Sequence, residues 1–367
     1  MHVLITGAAG MIGRKLTERL ITDGSLMSHP VEKLTLLDVV APARPAGFSD
    51  HVKTRAADLA EPGVAEKAIS ERPEAIFHLA GVVSGEAELD FDKGYRVNLD
   101  GGRALLEAIR KVGDGYKPRV VFSSSMAVYG APFPNAIPDD FNLTPLTSYG
   151  TQKAIIELML ADYTRRGVLE GVGIRLPSIV VRPGKPNKAA SGFFSGIIRE
   201  PLAGQEALLP VSETVVHTHA SPRSAVGFLI HGAELPREQI EPHINLTMPG
   251  VCCTVGEQIE ALRRVAGAKV ASRIRREPDP LVVRIVDGWL ERLPRLGADG
   301  LAAELGEERG VRDLRKHVGW YLKGYPVGGA ARGSLMKVSS LAELDAALAA
   351  MRERLPEEVP YPGETVE

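Results

Sequence analysis

The chain has 367 residues, 44% hydrophobic and 25% charged, and 44 Lys plus Arg nearly balance 46 Asp plus Glu for a net charge of −2. This composition excludes disorder, collagen and coiled coil as descriptions of the whole, and it offers no global basic field to gather nucleic acid or an acidic membrane. Its two cysteines, Cys252 and Cys253, are adjacent, which excludes a disulfide framework and a four-cysteine metal site and fits a reducing compartment.

Val3-Leu4-Ile5-Thr6 already reads as a first strand, so no signal peptide is expected before it. No stretch reaches the roughly 20 apolar residues of a membrane span, and the expected location is the cytoplasm. The run Gly7-Ala8-Ala9-Gly10-Met11-Ile12-Gly13 leads into a helical pattern from Arg14 to Leu20. Strand, glycine turn and helix together favour a dinucleotide site over a mere tight turn. Gly7 permits the turn, Gly10 lets the backbone approach a pyrophosphate, and Gly13 lets the helix pack close to the sheet. Met11 and Ile12 open the helix whose N-terminus faces the phosphates.

Leu34 to Leu37 predicts a second strand ending at Asp38, placed to bind the adenosine ribose hydroxyls. A carboxylate there repels a 2′-phosphate, which favours NAD over NADP. Val52 to Ala56 predicts a third strand leading to Asp58-Leu59. Asp58 can accept from the adenine amino group or serve as a solvated loop carboxylate. Ala75 to Gly81 predicts a fourth strand, with Leu79-Ala80-Gly81 a small-residue loop suited to crossing the cofactor. His78 reads as a satisfied core histidine. Asn98 falls in a helix running from Tyr95 through Ile109. Val120-Val121-Phe122 is a fifth strand that opens onto Ser123-Ser124-Ser125. Strands alternating with helices predict an α/β fold with a doubly wound, Rossmann-type parallel sheet and ligands at the carboxyl ends of its strands.

Tyr149-Gly150-Thr151-Gln152-Lys153 sets Tyr and Lys at i and i+4, on one helix face. A phenol is too weak an acid to serve as base near neutrality, and an adjacent ammonium lowers its pKa. Lys153 can also hold the nicotinamide ribose, and Ser125 can bond the reacting oxygen. Such a site removes a hydroxyl proton while hydride leaves the same carbon for NAD.

The glycine turn, Phe122-Ser123-Ser124-Ser125-Met126-Ala127-Val128-Tyr129-Gly130 and Tyr149-x-x-x-Lys153 resemble the extended short-chain dehydrogenase/reductase superfamily. The resemblance implies Ser125 as catalytic serine, Tyr149 as general acid/base and Lys153 as its partner, with Ser123 and Ser124 as neighbours open to sharing the serine's role and Ser123 also at the cofactor. It also implies backbone of Pro177 and Ile179 laid against the nicotinamide, and a homodimer formed through the Tyr149 helix. The run Gly173 to Gly184, then Ala189 to Ser195, Arg199-Glu200-Pro201-Leu202 and Ser221-Pro222-Arg223, resembles the D-erythronate dehydrogenases from residue 1 to about residue 289. That implies a four-carbon sugar acid oxidised at C2 with NAD. An anionic substrate needs a cation or several donors in its pocket, and Arg182, Arg223 and Ser191 are the candidates. Structural arginines are the alternative. A nucleotide-sugar epimerase or dehydratase is the runner-up. Val216-His217-Thr218-His219-Ala220-Ser221-Pro222-Arg223 departs from the Arg-Asp-Phe/Tyr pattern such enzymes carry there. His217 and His219 alternate as in a half-exposed strand and lack a third metal ligand, so no metal is expected.

Asn245 to Thr254 predicts a strand and Val255 to Val265 a helix led by Thr254. The expected organisation is an NAD-binding domain at 1–175, an interleaved substrate part at 176–289 and a helical tail at 290–367. Gly310 to Pro326 and Leu335 to Leu344, continuing to Glu364, resemble the C-terminal region of a tRNA-dihydrouridine synthase, whose barrel and catalytic cysteine have no counterpart here. Residues 311–337 carry six cations against Asp313, with Trp320, Tyr321 and Tyr325 interleaved. Such a segment can bind RNA, but a solvated basic face is favoured, so no nucleic-acid partner is expected. Ser340 to Glu343 reads as a capping box opening a helix through Leu355.

Overall fold

The computed structural model describes residues 1–45, 51–130, 137, 141–184, 191–287, 337–340, 342, 343 and 346. The chain divides into two compact units, Met1–Arg292 and Leu293–Glu367. The basic aromatic segment at 311–336 and the helix through Leu355 lie outside the described residues. At Ser340, whose hydroxyl accepts from the Glu343 backbone N–H at 3.2 Å, one arm of the expected cap is present.

In the first unit, β1 (His2–Thr6) feeds α1 (Met11–Asp23). A short hairpin, β2 (Ser25–Leu26) and β3 (His29–Pro30), turns on Met27 and Ser28. Both turn residues have positive φ without being glycine, so no turn signal announced it. Next come β4 (Lys33–Asp38), β5 (Val52–Ala56), α2 (Val64–Ile69) and β6 (Ala75–His78). The chain continues through α3 (Ser84–Leu89), α4 (Phe91–Gly94) and a π-helical turn, Tyr95–Asp100, into α5 (Gly101–Val112). Asn98 therefore sits in the widened turn before α5, not in a regular helix. Then follow β7 (Arg119–Ser125), α6 (Ser148–Arg165), β8 (Glu170–Leu176) and β9 (Ser178–Ile179). The three serines are the last residues of β7 itself.

Beyond them run α7 (Gly192–Leu202), β10 (Ala207–Leu209), β11 (Val216–Ala220), α8 (Pro222–Glu234) and α9 (Arg237–Ile240). The stretch read as one strand, Asn245 to Thr254, is two: β12 (Asn245–Thr247) and β13 (Val251–Thr254). Pro249-Gly250 interrupts it, because proline supplies no ladder donor. The described part of the unit ends with α10 (Val255–Ala266), α11 (Ala268–Ala271), β14 (Ile274–Arg276) and α12 (Pro280–Asp287). Thr254 and Glu257 form a reciprocal capping box at the start of α10.

The main sheet has seven strands in the order β12-β8-β7-β6-β1-β4-β5, every pair parallel. Its central strands are buried on both faces, which is why they read as continuous apolar runs. α1 and α8 pack together on one face, and α2, α5 and α6 form a row on the other. The strand order reverses beside β1 and β6, and the crevice outside their carboxyl ends is where such sheets bind ligands. A smaller layer holds β13-β11-β9 and the pair β10-β14. It has its own core of Phe194, Ile197, Leu209, Val255, Ile259 and Leu262.

Candidate active site

At the switch point Gly7 has φ +73, and a Cβ there would lie 2.6 Å from the Leu79 carbonyl carbon and the Ala80 nitrogen. The turn after β1 thus fits against the loop after β6 with no room for a side chain. Gly13 is packed too, but against Gly7 O and Ala8 of the turn itself rather than against the sheet. Gly10 caps α1 without a side-chain hydrogen bond, and the first turn holds no acidic residue. Its N–H groups therefore face the crevice as donors for an anion. Asp38 ends β4. Its carboxylate accepts from Ala9 N at 2.9 Å and Val40 N at 3.3 Å, which orients it beside the glycine turn. These residues fit a dinucleotide.

One cavity of about 430 Å³ joins this turn to the serine end of β7, Tyr149 and Lys153, and continues to Ser178, Arg182 and His217. Gly7, Gly10, Met11, Ile12, Gly13 and Leu79 line one end. Gly81, Ser123, Pro177 and Ile179 line it further along. Ala80, Asp38, Asp58, Leu59 and Asn98 are outside its wall. Asp58 accepts from Ala60 N at 2.9 Å and from Arg96 at 2.7 Å, so its carboxylate is held by a cation. Leu59 is buried in the core. Asn98 is buried as well. It accepts from Val82 N at 2.8 Å and donates to Gln152 Oε1 at 2.8 Å, so it fixes the loop after β6 rather than facing the cavity. His78 is a satisfied core residue, 2.8 Å from Thr6 Oγ1 and stacked on Phe122. Burial pushes its pKa down to about 3.

α6 begins with Thr147, which accepts from Gly150 N at 3.1 Å and starts the helix one residue before Tyr149's turn. Burial raises the Tyr149 phenol above its ordinary value, while a hydrogen bond with Ser125 and the charge of Arg182 pull it down. Lys153 Nζ donates to the Ser123 carbonyl at 2.8 Å and lies 5.6 Å from the Tyr149 ring centroid. Burial pulls its pKa down to about 8, and Glu157 opposes that. Arg182, which the sequence suggested only for substrate, thus joins Lys153 as a cation near the phenol.

Arg182 donates to Ile179 O at 3.1 Å and to Ser191 Oγ at 2.8 Å. Arg182 and buried Ser191 are therefore brought together on the cavity wall. Arg223 is not on that wall; it lies in the first turn of α8, the helix packed against β7 and β8. Sequence reasoning missed Arg199, which lines the cavity and donates to Arg182 O at 2.6 Å. It missed His217, which bonds Ser178 Oγ at 2.7 Å and stacks on Phe194. α7 brings Arg199 to the site, and the pairing of β11 with β9 brings His217. β11 is a strand as expected, but its second half, with His219, is buried instead of half exposed. Among the described residues no group of three or more His, Cys, Asp or Glu is placed to hold a metal, and no helix is long and apolar enough to cross a membrane.

Residues 3–223 match the model of the NAD dependent epimerase/dehydratase family. The chain is 50% identical over 294 residues to a D-erythronate dehydrogenase of Cupriavidus necator, covering 79% of this chain and 89% of that protein. A solved nucleoside-diphosphate-sugar epimerase of Agrobacterium tumefaciens is 61% identical, with a TM-score of 0.78 over 87% of this chain and 95% of that one. A probable tRNA-dihydrouridine synthase of Mycobacterium tuberculosis is 48% identical over 62 residues, which is 17% of this chain and 15% of that protein. The family match spans more than half of the sequence and contains both the glycine turn and the tyrosine helix, and the chain belongs to the NAD dependent epimerase/dehydratase family.

Proposed function

We propose that the chain is an NAD-dependent dehydrogenase of a small sugar acid, D-erythronate, which it oxidises at C2 to 2-oxo-D-erythronate. The observation that carries this reading is Arg182, which lines the same cavity as Tyr149 and whose charge acts on the Tyr149 phenol. In a 2-hydroxy acid the carboxylate and the reacting hydroxyl sit on neighbouring carbons. A cation beside the general base suits that spacing.

When bound, NAD supplies the acceptor for the hydride that leaves C2. Gly7, Gly10 and the first turn of α1 would hold its pyrophosphate, Asp38 the adenosine ribose, and Lys153 the nicotinamide ribose. Ser125 bonds the reacting oxygen and orients the hydroxyl. In its phenolate form, which Ser125 and Arg182 favour against the cost of burial, Tyr149 takes the hydroxyl proton as hydride departs, so proton and hydride leave as a pair and a carbonyl remains. Arg182, oriented by Ser191 and Ile179, holds the substrate carboxylate.

The name of the Agrobacterium structure supports a second reading, a nucleotide-sugar epimerase. Against it, the segment Val216 to Arg223 contains no Arg-Asp-Phe/Tyr run and no acidic residue, which such enzymes carry there. The test follows absorbance at the NADH band with NAD and D-erythronate, with L-threonate and UDP-sugars in parallel. A rise with D-erythronate alone supports the dehydrogenase. Conversion of a UDP-sugar without NADH accumulation replaces it with the epimerase.

A further inference from the structure

Three consecutive serines end β7, and each is tied to a different residue of one face of α6. Ser123 gives its carbonyl to Lys153 Nζ at 2.8 Å, Ser124 Oγ donates to Glu157 Oε1, and Ser125 bonds Tyr149. Tyr149, Lys153 and Glu157 are spaced i, i+4 and i+8, so the helix presents them in one line. Two of the three belong to the reaction site described above. Glu157 does not touch the cavity; it is 0% exposed.

A fully buried carboxylate is costly unless charge and hydrogen bonds surround it. Glu157 has both. Arg175 Nε donates to each of its oxygens at 3.1 Å, and Arg175 Nη2 donates to Oε2 at 2.7 Å. Arg175 also donates to the Tyr129 hydroxyl, which lies 2.9 Å from Thr247 Oγ1. The network therefore ties the middle of α6 to the ends of β7, β8 and β12.

The charged groups around Lys153 can be named element by element. Along α6 stand Tyr149 and Glu157, and from β8 comes Arg175. The segment after β9 brings Arg182 toward Tyr149. From β6 comes His78, kept neutral by burial. β7's titratable residue, Arg119, stands at the opposite end of the strand, bonded to Leu235 O, and near Lys153 β7 brings the Ser123 carbonyl and the Phe122 ring, whose centroid is 4.7 Å from Nζ. Glu157 is the carboxylate bonded to Arg175 one turn from Lys153, with Arg182 at the Tyr149 end of the line.

We propose that Glu157 is a positioning residue of the reaction. It holds the serine end of β7 in register with the Tyr149 helix and supplies the buried counter-charge that keeps Lys153 protonated. Without that charge the local potential turns more positive, so both the ammonium and the phenol lose their protons at lower pH.

The proposal rests on the reading above only for its substrate. Wild type, E157Q, E157D and S124A are compared in two measurements. One is the pH profile of kcat/KM with NAD and D-erythronate. The other is the pH titration of tyrosinate absorbance, taken as the difference from the same protein carrying Y149F, which needs no substrate. E157Q is expected to move both limbs and the tyrosinate titration toward acid by about one pH unit. E157D keeps the wild-type positions at reduced kcat. S124A, which removes a neutral contact, lowers kcat about tenfold and leaves the limbs in place. A folded E157Q with unmoved limbs and titration overturns the proposal. Should E157Q fail to fold, wild-type kcat in S124A or displaced limbs in E157D overturns it instead. If wild type does not oxidise D-erythronate, the substrate reading fails, and the tyrosinate titration still decides the role of Glu157.

Discussion

Arg182 donates through Nη2 to Ser191 Oγ at 2.8 Å, and its own backbone N–H donates to Ser195 Oγ at 3.0 Å. The arginine is thereby fastened to the start of α7, and its side chain is aimed by a partly buried contact. R182M is expected to raise the KM for D-erythronate at least tenfold, about 1.4 kcal/mol, with the Kd for NAD unchanged. R182K recovers part of the loss, because an ammonium cannot reproduce the fork. Steady-state kinetics with a separate NAD titration checks this; a wild-type KM in R182M would remove the arginine from the substrate's carboxylate.

Y149F leaves the Ser125 hydroxyl and Lys153 in place but removes the proton acceptor. Turnover is expected to fall by about a thousandfold. NAD binding, followed by quenching of protein fluorescence, is expected to stay within a few-fold of wild type. Undiminished turnover would sink the assignment of Tyr149 as base.

Asp38 is held by two backbone N–H groups beside the glycine turn, and the proposed dinucleotide site assigns its charge to the adenosine ribose, where it would repel a 2′-phosphate. D38N is expected to weaken NAD binding about tenfold and to improve NADP relative to NAD. Parallel Kd measurements for the two nucleotides test the sign of that shift.

Gly7 combines a positive φ with backbone atoms 2.6 Å from any added Cβ. G7A is expected to cost about 2 kcal/mol or more and to abolish NAD binding, since the turn and the loop after β6 must separate. Thermal unfolding with and without NAD reads both effects. A G7A protein that NAD still stabilises would contradict the packing.

His78 and His219 are both buried neutral, with pKa values pushed down to about 3 and about 4 from an ordinary 6.5. The unfolded chain takes up protons at these sites below pH 6.5 while the folded chain does not. Folding stability is therefore lost as pH falls below 6.5, by roughly 1.4 kcal/mol per pH unit for each histidine. Urea unfolding at about pH 7 and about pH 5 measures the slope. H219Q is expected to flatten it, and an unchanged slope would show that His219 does not set it.

Local pattern revealed most of the frame. β1, the glycine turn, β5 and the Tyr149–Lys153 helix were legible because each is a short-range rule: an apolar run, a turn needing glycine, an i, i+4 pair. The hairpin at Met27-Ser28 was not, because its positive-φ residues are not the usual ones. The break within Asn245 to Thr254 was legible at Pro249-Gly250, a local turn signal, but that the two halves join different sheets was not. Arg199, His217 and Glu157 were invisible as site residues. Each matters through a neighbour far away in the chain, and a single sequence carries no mark of that pairing.

The divided stretch has a mechanical consequence. β12 runs beside β8 in the large sheet, while β13, after Met248-Pro249-Gly250, runs antiparallel to β11 in the small one. β8 and β9 make the same passage across Pro177. Two adjacent tethers of a few residues each stitch the layers together, and Met248 N anchors one to the other by donating to Arg175 O at 3.0 Å. A double stitch resists the clam-shell opening that a single linker permits.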